Sequence, residues 1–336
     1  MTAFPDIAAF ETALATLPRP DDQARAAASA RQGQLTKPPG SLGRLEDIAI
    51  FLAGWQGVER PRIERGRVVI FAGNHGVTAR GVSAFPAEVT ELMVANFAAG
   101  GAAINALAAA AGLELAVVPL DLDRPTADFT TAPAMTKEEC LSALSAGAEA
   151  VGEADLLVLG EMGIGNSTAA AALAAASFGG GPALWVGPGT GVDAQGVQRK
   201  AAVVAEGLAL HREHLTSAFE ILRRLGGREI AAMAGAVLAA RHKRIPVVLD
   251  GFIGTAAVAP LAHANPAISA HCLSGHCSAE PGHVLLLARL GLEPILSLGM
   301  RLGEASGAAV AVQVIRSAIA AHDGIATFAE AGIAGA

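Results

Sequence analysis

Apolar positions along this chain fall into two patterns. In the first, short runs are apolar at consecutive positions and stop at a small or turn-forming residue. Val68 to Phe71 is closed by Ala72-Gly73, Leu115 to Val118 by Pro119, Leu156 to Leu159 by Gly160, and Val247 to Leu249 by Asp250-Gly251. Ile268 to Leu273 and Ile295 to Leu298 end in a similar way. Runs apolar on both faces are what a buried parallel sheet requires. In the second pattern, the intervening segments have helical length: 86–111, 136–152 and 253–264, with consecutive helices between Asp193 and Arg241. Residues 1–60 also read as helical. Asp21 and Asp22 follow Pro20 and open one helix; Ser41 is expected to cap another running from about Leu42 to Gln56. A last helix, 304–321, returns the chain to this helical part. The alternation predicts an α/β fold: a parallel sheet flanked by helices. The predicted domains are a small helical one, 1–60 plus 304–336, and a large α/β one, 61–303. Asp121 to Met135, with Pro125 and Pro133, is predicted to be an exposed loop and a candidate lid.

Composition narrows the class. Hydrophobic residues make up 52 % of the 336 and charged residues 16 %, enough apolar surface for a substantial core. Much of it is alanine, which predicts closely packed helices and a candidate subunit interface. The net charge is −7 with no basic block, so no nucleic-acid partner is expected. Three cysteines, Cys140, Cys272 and Cys277, form no framework and fit a reducing compartment. The N-terminus carries acids early and no apolar signal core, and no run of about 18 uninterrupted apolar residues occurs. A cytoplasmic protein without a membrane partner is the expectation.

In an open parallel sheet, ligands bind beyond the carboxyl ends of the strands. The residues there include Glu161 in a Gly-Glu-Met-Gly run and Glu304 in Arg301-Leu302-Gly303-Glu304. Glu304 reads equally well as a helix-dipole partner or as a base held at a site. Gly163, Gly165 and Asn166 lead from a strand into a helix, where backbone can approach a ligand and a helix N-terminus suits a phosphate. An ordinary capped turn explains them as well. Gly187 to Gly191, containing Gly189 and Thr190, is a second Gly-rich turn, with Lys200 nine residues beyond it. Ser278 faces the same edge, while Glu280 and Pro281 suit the start of a helix. His271-Cys272 and His276-Cys277 do not have zinc spacing and read as strand-end residues; no metal is expected. Gly73-Asn74-His75-Gly76 after the first strand is not the dinucleotide fingerprint, which argues against an oxidoreductase.

Together these segments resemble the nicotinate-nucleotide–dimethylbenzimidazole phosphoribosyltransferase family. The resemblance rests on KPPGSLGRLEDIA (37–49), FAGNHGV (71–77), GVSAFPAEVT (81–90), GEMGIGNSTAAAAL (160–173), GPGTGVD (187–193), LDGFI (249–253), HCSAEPGH (276–283) and RLGEASGAA (301–309). It implies a Rossmann-like homodimer that moves phosphoribose from nicotinate mononucleotide to 5,6-dimethylbenzimidazole, giving α-ribazole 5′-phosphate and nicotinate for the cobalamin nucleotide loop. It implies no cofactor. Glu304 falls at the base position and Glu161 at the second carboxylate. Gly163, Gly165, Asn166, Gly189, Thr190, Gly191, Lys200, Ser278 and Gly303 fall on the donor and phosphate side. The chain departs from the family at three places. Asn74 stands where Asp is common, and Pro188 where an Arg is frequent. Phe85 and Met93 stand where some members line the base pocket with Ser and Gln, which implies an apolar base pocket here. A catalytically silent nucleotide-binding protein is the remaining alternative, and the intact Glu161 and Glu304 argue against it.

Overall fold

The computed structural model describes residues 3–333. Among these, six parallel strands form one sheet in the order β2-β1-β3-β4-β5-β6. The strands are β1 (Gly66–Ala72), β2 (Glu114–Pro119), β3 (Leu156–Met162), β4 (Val247–Leu249), β5 (Cys272–His276) and β6 (Pro294–Leu296). Strand residues alternate between two buried faces. Val69, Phe71, Leu157, Leu159, Val247 and Leu249 enter one apolar core, and Val68, Ile70, Leu156, Val158 and Val248 the other. Burial on both faces explains the continuous apolar runs.

The first face is covered by α6 (Lys137–Ala150), α7 (Asn166–Phe178), α9 (Ala218–Leu225), α10 (Arg228–His242) and α11 (Phe252–Ala264). The second is covered by α3 (Arg44–Gln56), α4 (Val89–Ala98), α5 (Ala103–Ala111) and α13 (Ser306–Gly324). α1 (Ile7–Ala15) packs on α9 and α10; α2 (Asp22–Gln32) packs on α3. α8 (Ala194–His211) and α12 (Pro281–Leu290) complete the chain between strands. α13 touches α3 and α5 and also lies along β3, β5 and β6.

Four local expectations are corrected. Ser41 does not cap α3: Gly43 holds the N-cap position, and the Leu42 N–H bonds to the Glu46 carboxylate, which Lys37 also grips at 2.7 Å. Segment 86–111 is two helices, because Gly100 takes φ +79° and ends the first. That stretch is apolar enough in composition to cross a membrane, yet it is broken in the middle. Ile268 belongs to a 3-10 turn, Pro266–His271, and the strand begins only at Cys272. Segment 121–135 is irregular but pinned. Thr126, Phe129, Ala134 and Met135 are buried, and the Ala134 and Met135 N–H groups bond to the carbonyls of Arg224 and Arg223. Proline at 125 and 133 signalled irregular backbone, but several of the segment's backbone groups bond within the protein, to Asn74, to α9 and to one another.

The tightest helix pair is α6 on α10. A Cβ at Gly147 would lie 1.8 Å from the Ala232 carbonyl oxygen, and one at Gly235 would lie 2.0 Å from that of Leu144. Backbone packs on backbone, with no flexible side chain to yield. G147A or G235A should therefore force the helices apart and destabilise by about 1–3 kcal/mol or more. Urea unfolding checks this: the midpoint should fall while the slope is retained.

Candidate active site

Strand register builds the site. Leu159 pairs with Leu249, and Leu249 with Ser274. Glu161, Asp250 and His276 therefore emerge within two residues of one line across three strands. A cleft opens there, lined by these residues and by Met162, Gly163, Ile164, Asn166, Ser167, Gly189, Thr190, Phe252, Ile253, Ser278, Glu280, Leu302, Gly303 and Glu304.

Glu304 arrives from the far end of the chain on an unusual turn. Glu304 has φ +59° and Ala305 φ +62°, two consecutive non-glycine residues in the left-handed region. Each costs about 1–3 kcal/mol and persists only if its surroundings fix it. Two glycines permit the approach. A Cβ on Gly160 would lie 2.7 Å from the Ala305 nitrogen, and one on Gly303 would lie 2.6 Å from Glu161 Oε1. The end of β3 and the start of α13 thus meet backbone to backbone.

The resulting crowd of carboxylates sets their protonation. Glu161 and Glu304 are each 7 % exposed and Asp250 is 3 % exposed. Burial, reinforced by the negative charges of Glu229 and Asp250, pushes Glu161 up to about 8. Asn166 opposes this by donating its side-chain N–H to Glu161 Oε2. Burial, then the charge of Asp250, raises Glu304 to about 6. Burial raises Asp250 too, against the pull of His276, whose Nε2 lies 3.6 Å from Asp250 Oδ1. At neutral pH Glu161 holds its proton while Glu304 is mostly ionised and ready to accept one.

The cleft brings together Glu304, Glu161, Gly163, Asn166, Gly189, Thr190, Ser278 and Gly303 of the residues expected from the sequence. Ser278 Oγ is buried and has no hydrogen-bond partner among the described residues, so it is free for a ligand. Five others do not line it. Gly165 turns into α7 with φ +95° and faces Val77 and Thr78; Gly191 stands in open space. Lys200 is buried beneath the second Gly-rich turn and donates to Ser167 Oγ at 2.9 Å and to the Gly187 carbonyl at 3.1 Å. Burial lowers its pKa, and the nearby Glu280 partly restores it. Phe85 is 49 % exposed, and Met93 packs at the edge of the second core. They connect to the cleft through Thr90, whose hydroxyl accepts the Ile164 N–H at 3.2 Å.

Several cleft residues escaped the sequence reading. Glu280 was read as a helix-start residue, yet its carboxylate accepts the Gly189 N–H at 2.9 Å and fixes the Gly-rich turn. Asp250 and His276 were visible as strand-end residues but carried no pattern that assigned them a task. Phe252, Ile253 and Leu302 supply apolar walls from positions following strands. His283 is structural: it accepts the Ser278 N–H at 2.9 Å, and burial lowers it to about 3.

This site can be compared with known proteins. A family model described as phosphoribosyltransferase matches residues 17–333. The nicotinate-nucleotide–dimethylbenzimidazole phosphoribosyltransferase of Novosphingobium aromaticivorans is 69 % identical, over 99 % of both chains. The chain belongs to that family. The enzyme of that name from Ruegeria pomeroyi is 61 % identical, again over 99 % of both chains. The crystal structure of CobT from Thermus thermophilus superposes with a TM-score of 0.88 at 43 % identity, covering 94 % of this chain and all of that one. The family fold is thus the parallel sheet described above.

Glu161 also makes stability depend on pH. Between its ordinary value of 4.5 and about 8, the folded state keeps a proton that the unfolded chain has released. Folded stability from this group is therefore full below about 4.5 and falls as pH rises toward 8. E161Q removes the penalty and keeps an oxygen for Asn166. Its melting temperature should exceed the wild-type value at pH 8, and the gap should close toward pH 4.5. A gap that does not change with pH would rule out titration of Glu161 in this range.

Proposed function

We propose that this chain transfers phosphoribose from nicotinate mononucleotide to 5,6-dimethylbenzimidazole, yielding α-ribazole 5′-phosphate and nicotinate for the cobalamin nucleotide loop, with Glu304 as general base. Family membership supplies the reaction. The observation that carries the mechanism is the placement of two buried carboxylates, Glu304 and Glu161, on one wall of the cleft; burial raises both, Glu161 further than Glu304.

One ring nitrogen of the benzimidazole attacks C1′ of the ribose as the bond to the nicotinate nitrogen breaks. The electron pair leaves with nicotinate. The pyridinium is already cationic, so its departure needs no proton donor. Attack from the opposite face converts a β-nucleotide into an α-nucleotide. The benzimidazole must lose its N–H proton, and an ionised Glu304 takes it. Its pKa makes it a stronger base than an ordinary carboxylate yet leaves it ionised at pH 7. Glu161, still protonated, can donate a hydrogen bond to a ligand atom without adding a second negative charge.

For the donor, Ser167, Thr190 and Ser278 offer hydroxyls beside the N-terminus of α7, while the Gly189 and Gly191 N–H groups are held by Glu280 and by the Pro188 carbonyl and keep the Gly187–Gly191 turn in shape. Lys200 supplies positive charge from below this turn, where the family often has an Arg and this chain has Pro188. Gly163, Gly165 and Gly191 keep the two turns free of side chains. Met162, Ile164, Phe252, Ile253 and Leu302 form apolar walls for the base. Phe85 and Met93 flank them from the segment tied on by Thr90.

The proposal extends to a cytoplasmic homodimer. Phe85, Leu92, Leu298 and Leu302 are each about half exposed or more, which suits a second copy. It also keeps 1–60 with 304–336 as a small helical domain beside 61–303, supported by α3 packing on both α2 and α13.

Three measurements test this reading. Incubation with nicotinate mononucleotide and a panel of benzimidazoles, purines and phenols should give an α-riboside phosphate, identified by mass, from 5,6-dimethylbenzimidazole. E304Q should lower kcat by about 10²–10⁴-fold with KM little changed; equal activity in the variant would remove Glu304 as base. In the wild type, kcat should rise with pH through about 6, because the base must be ionised to act. Separately, the mass in solution should be twice the 33.7 kDa of one chain, measured by sedimentation equilibrium.

A further inference from the structure

Glu304 stands on a turn that cannot hold itself. Neither Glu304 nor Ala305 is a glycine, yet both lie in the left-handed region. α13, which follows at Ser306, has no side-chain cap of its own, because its N-cap residue is Ala305. Its first amides are instead met by a carboxylate from another strand. Asp250 Oδ1 accepts the Ala308 N–H at 2.8 Å, and the Asp250 carboxylate also meets the amides of Gly307 and Ala305. It caps α13 across 58 residues of sequence.

A second group is held against Asp250. His276 is 1 % exposed, and its Nε2 lies 3.6 Å from Asp250 Oδ1. Neither ring nitrogen has a hydrogen-bond partner among the described residues. Its ring occupies the space left by Gly307, where a Cβ would come within 2.1 Å of His276 Cδ2. The ring therefore fixes the first turn of α13 from one side while Asp250 holds its amides.

We infer that Asp250 is the positioning residue for the base: its carboxylate bonds to the amides of the turn that presents Glu304 and pins it. The inference rests on the reading of Glu304 as general base. The charged or titratable groups around Glu304 are Glu161 at the end of β3, Asp250 after β4, His276 at the end of β5, Glu280 across the cleft and Arg301 on its own segment; Glu229 stands behind Glu161. Of these, Asp250 is the charge that raises Glu304, and it also bonds to the backbone carrying Glu304.

The variants D250N and D250A separate the two effects. Asn keeps an oxygen for the Ala308 N–H but carries no charge. Removing the charge lowers the pKa of Glu304, so the acid limb of the kcat profile should move below pH 6. The plateau should fall roughly tenfold because the base is weaker. KM for nicotinate mononucleotide should stay within about twofold of the wild type. D250A also frees the amides, and misplacement of the base should lower kcat by roughly 100-fold. D250E, with a longer side chain, should restore the acid limb but not the full plateau. The inference is overturned if folded D250A keeps the wild-type plateau, or if its loss appears equally in KM with no shift of the limb. Circular dichroism checks folding, and the isosteric D250N carries the test if D250A does not fold. E304Q runs alongside. If it is inactive while D250A behaves as wild type, only the positioning role fails. If E304Q is fully active, the base reading fails and this inference with it.

Discussion

The chemistry of the cleft depends on one backbone contact: the end of β3 against the turn that starts α13. Gly160 and Gly303 leave no room for a Cβ, so the two segments meet without side chains between them. That contact places Glu161 and Glu304 on one wall although 143 positions separate them. It also removes water from both. A carboxyl out of water prefers its proton, and a second carboxylate nearby strengthens that preference. Close packing and raised basicity are therefore one structural fact seen at two levels.

Crowding alone does not assign roles, because two equal acids would share a proton without preference. What separates them is the neighbourhood. Glu161 faces Glu229 from α10 as well as Asp250, while Glu304 faces mainly Asp250. Glu229 is itself wholly buried and bonded to His75 Nε2 at 2.6 Å. The acid that faces the additional carboxylate keeps its proton at neutral pH, and the other is left as the base. A reaction whose leaving group is already cationic fits this division. It needs one base and no acid, so the second carboxyl can remain neutral and only donate a hydrogen bond.

Much of the fold was legible in the sequence because a sheet buried on both faces demands apolar residues at consecutive positions. Glu161 and Glu304 were legible as residues at strand ends, where ligands bind in such sheets. Most of what escaped depends on contacts between distant segments; the cap of α3 is a local exception. Ser41 looked like a cap, since a local pattern was all the sequence offered, and Glu46 and Gly43 took its place. Asp250 is a cap with no local signature, serving a helix that begins 56 residues later. Glu280 carried a plausible helix-start explanation that concealed its bond to Gly189. Segment 121–135 is irregular and partly exposed as expected, but its anchors were out of view for the same reason: they lie on Asn74 and on α9, far along the chain.

The cleft's exact place on the sheet follows from what fills the neighbouring crevice. The strand order reverses at β1, so the switch point lies between β1 and β3. Ligand space opens one step away, over β3, β4 and β5. At the switch point itself, Gly73, Gly163 and Gly227 surround the Glu229 carboxylate so closely that a Cβ on any of them would come within 3.0 Å of it. The His75–Glu229 pair thus occupies the position a ligand takes in a simple doubly wound sheet. Its burial needs three glycines from three segments, two of them in FAGNHGV and GEMG. Those motifs therefore serve packing beneath the site as much as contact with a ligand. The carboxylate they enclose adds to the burial that raises Glu161, and so helps leave the proton transfer to Glu304.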